Sequence, residues 1–113
     1  NKKKAGIAIN PDTNIENVEK YLEHIDELTV MTVVPGKGGQ SLIVDCLDKV
    51  KQLRKIKEMN NLGFDIQVDG GVKKDNIQLV NDAGADIAVA GTAIFNSENS
   101  IQNNLQALMH ALR

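Results

Sequence analysis

An α/β fold built on parallel strands is what this sequence predicts, and three observations carry the prediction. Short apolar, strand-like runs alternate with helix-like stretches along the whole 113 residues. The runs are continuously apolar rather than alternating, as parallel strands covered on their faces should be. Three of them end in a glycine turn that a helix-like stretch follows. The run 28–33 leads into Pro35-Gly36-Lys37-Gly38-Gly39, the run 66–68 into Asp69-Gly70-Gly71, and the run 87–90 into Gly91-Thr92.

The first strand is Ala5-Gly6-Ile7-Ala8-Ile9, stopped by Asn10-Pro11. Thr13 with Glu16 three residues on has the form of a capping box, opening a helix with Ile15, Val18, Leu22 and Ile25 on one face. Residues 28–34 form the second strand. The second helix runs from about Ser41 to Met59, with Ile43, Cys46, Leu47, Val50 and Leu53 along its buried stripe, and Asn60-Asn61-Leu62-Gly63 stops it. Residues 64–68 form the third strand. Asp75 is placed to cap a helix carrying Ile77, Val80 and Asn81, which Gly84 ends. Residues 86–90 form the fourth strand. The last helix has Ile101, Leu105, Leu108 and Leu112 at i, i+4, i+7 and i+11. Four βα units joined by right-handed crossovers result. They make about half of an eight-unit barrel, which usually takes about 250 residues. A small doubly wound open sheet has the same periodicity.

Composition narrows the function classes. With 42% hydrophobic and 25% charged residues, this is an ordinary globular chain of one domain at most, and its net charge of −2 offers no footprint for nucleic acid or an acidic membrane. Lys2-Lys3-Lys4 reads as a solvated end. No apolar run approaches the roughly 18 residues that span a bilayer. The lone Cys46 excludes an internal disulfide, no Cys/His spacing suggests zinc, and a reducing cytoplasm fits best. His24 and His110 fall on helical stretches and read as surface residues. The first residue is Asn1, not Met, so a processed chain or part of a longer one is expected.

Glycine in a strand-to-helix turn lets the backbone come close to a ligand, and successive N–H groups form an anion-binding concavity. Three such loops at one end of neighbouring parallel strands would build a single phosphate-centred site. Each turn taken alone is equally a tight connection. An Asp before two glycines also serves turn geometry by itself.

The blocks Gly6-Ile7-Ala8-Ile9-Asn10-Pro11-Asp12-Thr13, Val30-Met31-Thr32-Val33-Val34-Pro35-Gly36-Lys37-Gly38-Gly39-Gln40, Val68-Asp69-Gly70-Gly71-Val72 and Val89-Ala90-Gly91-Thr92-Ala93-Ile94 closely resemble the ribulose-phosphate 3-epimerase family, in its order and spacing. The resemblance implies a TIM (β/α)8 barrel. Residues 1–113 would be a single partial domain, the C-terminal half-barrel with strands five to eight. It also implies an isomerase of the pentose phosphate pathway that interconverts D-ribulose 5-phosphate and D-xylulose 5-phosphate. Family members use a divalent metal ion (Zn, Fe, Mn, Co or Mg) and two aspartates, one on each face of the substrate.

Epimerisation next to a carbonyl removes a weakly acidic proton and returns one on the opposite face. A metal lowers the barrier to the enediolate, and two carboxylates exchange roles as base and acid. By resemblance, Asp69 is the family's C-terminal aspartate, both metal ligand and proton donor. Gly36, Lys37, Gly38, Gly39, Gly70, Gly71, Gly91 and Thr92 match its substrate and phosphate loops, and Met31 lines the site. As a buried strand Met, Met31 is equally core filler. Lys37 stands where the family usually has an aromatic residue, and Val34 where it usually has an acidic one, so a related 3-epimerase acting on allulose 6-phosphate stays open. The family's other aspartate, its two metal-binding histidines and a serine that contacts substrate come from its N-terminal strands. The isolated 113 residues are therefore expected to bind sugar phosphate weakly at best and not to turn over. Two open edges and an apolar inner face should make the chain form a homo-oligomer, aggregate or require the missing N-terminal half-barrel. A non-catalytic half-barrel that binds phosphorylated ligands is the competing reading.

Overall fold

The computed structural model describes residues 4–33 and 42–89. Strands β1 (Gly6–Ile9), β2 (Glu27–Met31), β3 (Asp65–Asp69) and β4 (Ile87–Val89) form one parallel sheet in the order β1-β2-β3-β4. Helix α1 (Cys46–Met59) joins β2 to β3, and α2 (Ile77–Ala83) joins β3 to β4. A doubly wound sheet requires a reversal of strand order. Among the described residues each crossover returns the chain beside the strand it left, without the reversal that the doubly wound alternative needs. The last expected helix, with its four apolar positions and His110, lies outside the described residues.

The strands differ from expectation in their pattern. In β2 (Glu27-Leu28-Thr29-Val30-Met31) and β3 (Asp65-Ile66-Gln67-Val68-Asp69), buried apolar residues alternate with half-buried or exposed, largely polar ones. Register aligns Ile7 with Leu28 and Ile66, and Ile9 with Val30 and Val68. This face shares one core with Leu47, Val50 and Leu53 of α1 and with Ile77 and Val80 of α2. The cause is simple: the described helices cover one face, so only that face needs an unbroken apolar surface. On the opposite face Ala8, Thr29, Gln67 and Ile87 are aligned, and beyond them Met31, Asp69 and Val89. Polar Thr29 and Gln67 are hydrogen-bonded at 3.3 Å, so this face is not the apolar one expected.

Helix α1 buries Cys46, Leu47, Val50 and Leu53 at helical spacing, as its periodicity predicts. It starts at Cys46 and not near Ser41, and Ile43 lies before it with its N–H bonded to the Thr32 carbonyl. Its stop is also as read: Asn60 is the C-cap, and Asn61 takes a left-handed φ of 53°. Cys46 is a buried core thiol. Burial pushes its pKa up, Lys49 opposes this and Asp45 adds to it, which leaves an unreactive group.

Two helical expectations are corrected. The stretch after β1 forms 3-10 segments, Ile15–Asn17 and Glu19–His24, in place of an α-helix. Thr13 does not cap forward. Its Oγ1 accepts from the Asn10 N–H at 3.1 Å while its own N–H donates to the Asn10 carbonyl at 3.0 Å, closing a turn on Asn10-Pro11. Ile15, Val18 and Leu22 are still buried and Ile25 packs against the core, because steps of three, four and three residues also suit the tighter helix. In α2 the N-cap is Asn76, not Asp75. Asn76 accepts from the Lys73 N–H at 2.8 Å and donates to the Gly71 carbonyl at 2.9 Å, and the acceptor-only carboxylate of an Asp could not do both. Asn81 is exposed, and Ala83 completes the buried stripe. Gly84 ends α2 as expected, at φ 110°, where a Cβ would lie 2.7 Å from Arg54 Cγ.

Candidate functional site

All four strands run the same way, so their carboxyl ends share one rim of the sheet, where ligand sites of parallel α/β folds lie. Asp69 closes β3 on this rim and is half-buried. Register sets it between Met31 of β2 and Val89 of β4, on the face away from the helices. Of the expected site residues, Met31, Asp69, Gly70 and Gly71 are therefore brought together. Gly36, Lys37, Gly38, Gly39, Gly91 and Thr92 lie outside the described residues.

The turn after Asp69 is held from both sides. Gly70 has φ 131°, and a Cβ there would lie 2.6 Å from Val33 Cγ2, so glycine is required by conformation and by space. Gly71 follows at φ 71°. The Gly70 carbonyl accepts from Thr32 Oγ1 at 2.5 Å, and the Gly71 carbonyl from Asn76. No peptide here is cis, and in a trans peptide the N–H points opposite to the preceding C=O. Tying both carbonyls to protein partners thus turns the Gly71 and Val72 N–H groups the other way. Among the described residues, none hydrogen-bonds or ion-pairs with the Asp69 carboxylate.

Thr32 and Asn76 were not singled out by the sequence reading. Thr32 is fully buried, and a hydroxyl residue near the end of a largely apolar strand run was the available signal. Asn76 was hidden behind Asp75, which is equally plausible as a cap on sequence grounds. Lys49 of α1 was also missed. Its Nζ donates to the Pro11 carbonyl and, at 2.5 Å, to that of Thr13, which fixes the loop after β1 at the same rim.

Chemically, the rim offers one carboxylate, a thioether neighbour in register and a turn with directed N–H groups. That set can move a proton at one face of a small ligand and hold an anion. As a metal centre it is insufficient: among the described residues no cluster of three His, Cys, Asp or Glu side chains exists. No described helix is long and apolar enough to cross a membrane.

Comparison with known proteins gives a consistent result. Residues 1–95 match the model of the ribulose-phosphate 3 epimerase family. The chain is 46% identical over 92 residues to the ribulose-phosphate 3-epimerase of Serratia marcescens, covering 81% of this chain and 44% of that protein. It is 43% identical over 94 residues to the Schizosaccharomyces pombe enzyme of that name, covering 83% of this chain and 40% of the relative. For the Escherichia coli K12 enzyme, identity is 45% over 94 residues, with shares of 81% and 41%. The chain thus spans less than half the length of these curated relatives.

Proposed function

Because the chain belongs to the ribulose-phosphate 3-epimerase family, we propose that it supplies the Asp69 side of a ketose-phosphate 3-epimerase site. D-ribulose 5-phosphate is the proposed substrate and D-xylulose 5-phosphate the product, in the pentose phosphate pathway of the cytoplasm. The observation that carries this reading is Asp69 itself. It stands at the carboxyl end of β3 between Met31 and Val89, followed by a turn whose Gly70 and Gly71 carbonyls are bonded to Thr32 and Asn76. A phosphate binder without catalysis needs the glycines but has no use for a carboxylate beside them.

In this proposal Asp69 moves a proton at C3 on one face of the sugar, while Met31 lines the site with a side chain that cannot compete for it. The Gly71 and Val72 N–H groups, together with loops 36–39 and 91–92, bind the phosphate end. A second acid on the opposite face completes the exchange, because one carboxylate cannot reach both faces of C3. Divalent-metal dependence belongs to the same proposal. When bound, the metal would stabilise enediolate charge, and Asp69 offers it one ligand. The described residues do not complete its site, so the other ligands would come from elsewhere. The four βα units are proposed as strands five to eight of an eight-stranded barrel. The unreversed strand order and the match to less than half of each relative support a partial barrel. The resemblance of the Asp69 block to the family's C-terminal aspartate is the ground for the numbering. A complementary N-terminal half-barrel is then the partner that the site requires.

The test is complementation. The chain is mixed with the part of the Serratia enzyme outside the match, in the presence of a divalent metal. Exchange of the C3 proton with solvent deuterium is followed for D-ribulose 5-phosphate, with allulose 6-phosphate in parallel. Exchange is expected in the mixture and not in either half alone, and Asp69→Asn should lower it by about 10² to 10⁴. Full activity of the isolated chain, or a mixture indifferent to Asp69→Asn, would overturn the proposal. Faster exchange with allulose 6-phosphate would reassign the sugar.

A further inference from the structure

Thr32 is a fully buried polar residue, and its three polar groups reach two separate segments, the Asp69-Gly70 turn and the entry to α1. Its N–H donates to the Asp69 carbonyl at 3.0 Å, and its Oγ1 donates to the Gly70 carbonyl at 2.5 Å. Its own carbonyl accepts from the Ile43 N–H at 2.7 Å, just before α1. One residue therefore holds the end of β2, the entry to α1 and the turn that follows the proposed proton-transfer carboxylate. A strand end needs only the backbone bonds. The hydroxyl does something further: it fixes the orientation of the Gly70-Gly71 peptide in a turn whose φ of 131° offers little steric restraint of its own.

We infer that Thr32 is a positioning residue, whose hydroxyl holds the Asp69-Gly70-Gly71 turn in the conformation that presents the carboxylate and the Gly71 N–H to a sugar phosphate. With the Gly70 carbonyl captured by Thr32, the Gly71 N–H must point to the other side of that peptide plane. Without the hydroxyl, the peptide is free to rotate, and the two glycines have wide conformational access to do so. Val33 packs where a Gly70 Cβ would sit, so the turn can relax only by rotation and not by moving inward. The ligand half of this inference rests on the epimerase reading above; the structural half does not.

Two readouts on the full chain separate them. Thr32→Val keeps the side-chain volume and removes the hydroxyl, and Thr32→Ser keeps the hydroxyl. Backbone order parameters from 15N relaxation are expected to fall at residues 70–72 in Thr32→Val, from about 0.85 towards 0.6. They should stay unchanged in α1 and β2, and Thr32→Ser should restore the native values. Binding of D-ribulose 5-phosphate, followed by amide shifts, should weaken about tenfold in Thr32→Val and recover in Thr32→Ser. Unchanged order at residues 70–72, or an equal loss throughout the sheet, would overturn the inference and leave Thr32 a packing residue. If the unaltered chain does not shift with the sugar phosphate, the epimerase reading suffers, while the order parameters still decide the role of Thr32. If Thr32→Val does not fold, Thr32→Ser decides. Native order at residues 70–72 supports the hydroxyl, and mobility there despite it refutes the claim.

Discussion

At the amino end of the sheet, Asp86 accepts from the Ile66 N–H at 2.9 Å and pairs with Arg54 and Lys57 at 3.0 and 3.2 Å. Burial alone pushes this carboxyl up. The Ile66 bond, Lys57 and Arg54 together outweigh burial and hold it below the ordinary carboxylate value. A lowered folded-state pKa contributes stability above the unfolded value of about 3.9, and that stability is lost as pH falls through the folded value. The side chain is 28% exposed, so solvent screening limits the effect. Asp86→Asn is expected to cost about 1–2 kcal/mol at pH 7. Urea unfolding between pH 7 and 3 checks this, with the gap between the two proteins closing below about pH 4. A gap that persists unchanged at the lowest pH would mean that the Asp86 charge is not what stabilises the fold. Asp26 occupies the corresponding place before β2, where its Oδ2 accepts from the Ala5 N–H at 2.8 Å.

Elements are joined across the rim by Lys49, which reaches from α1 to the loop after β1. Its ammonium neutralises carbonyl dipoles that no strand partner satisfies, and so replaces the capping box expected at Thr13 and Glu16. Lys49→Met retains most of the apolar stem and removes the donor. Hydrogen exchange should then accelerate at Thr13, whose N–H closes the Asn10 turn at 3.0 Å, by about one order of magnitude for each 1.4 kcal/mol lost. The amides of β2 and β3 should exchange as before. Acceleration spread evenly over the sheet would mean that Lys49 serves general stability and not the loop. The α1 stripe was readable beforehand because Cys46, Leu47, Val50 and Leu53 repeat at the helical period. The 3-10 geometry was not, since Ile15, Val18, Leu22 and Ile25 satisfy both helical periods and only the Asn10–Thr13 turn separates them.

Taken as a whole, the described sheet has β1 at one edge and β4 at the other, each with a single strand neighbour among the described residues. The face that the described helices leave uncovered carries Thr29, Gln67 and Asp69 alongside Met31, Ile87 and Val89. Open parallel edges offer unpaired N–H and C=O groups to any matching strand. We therefore predict that the isolated chain self-associates, and that adding the unmatched part of the Serratia enzyme converts it to a one-to-one complex. Sedimentation velocity distinguishes these states. A monomer that unfolds cooperatively and ignores the added half would contradict the half-barrel proposal.

Local chemistry is legible in one dimension. The strand runs, the α1 stripe and the stops at Asn60-Asn61 and Gly84 all arise from neighbours within a few residues, so apolar period and backbone preference reveal them. Asp69-Gly70-Gly71 stood out for the same reason, as a carboxylate and two glycines at the end of a strand. What escaped notice is separated along the chain and joined only by register. Thr32 meets Gly70 across 38 positions, and Lys49 meets Pro11 across the same separation. The alternation of β2 and β3 is present in Glu27-Leu28-Thr29-Val30-Met31 and Asp65-Ile66-Gln67-Val68-Asp69, but which of their faces is covered likewise depends on where the helices pack. Those contacts exist only after the parallel strands align, and no short stretch of residues carries the energy that aligns them.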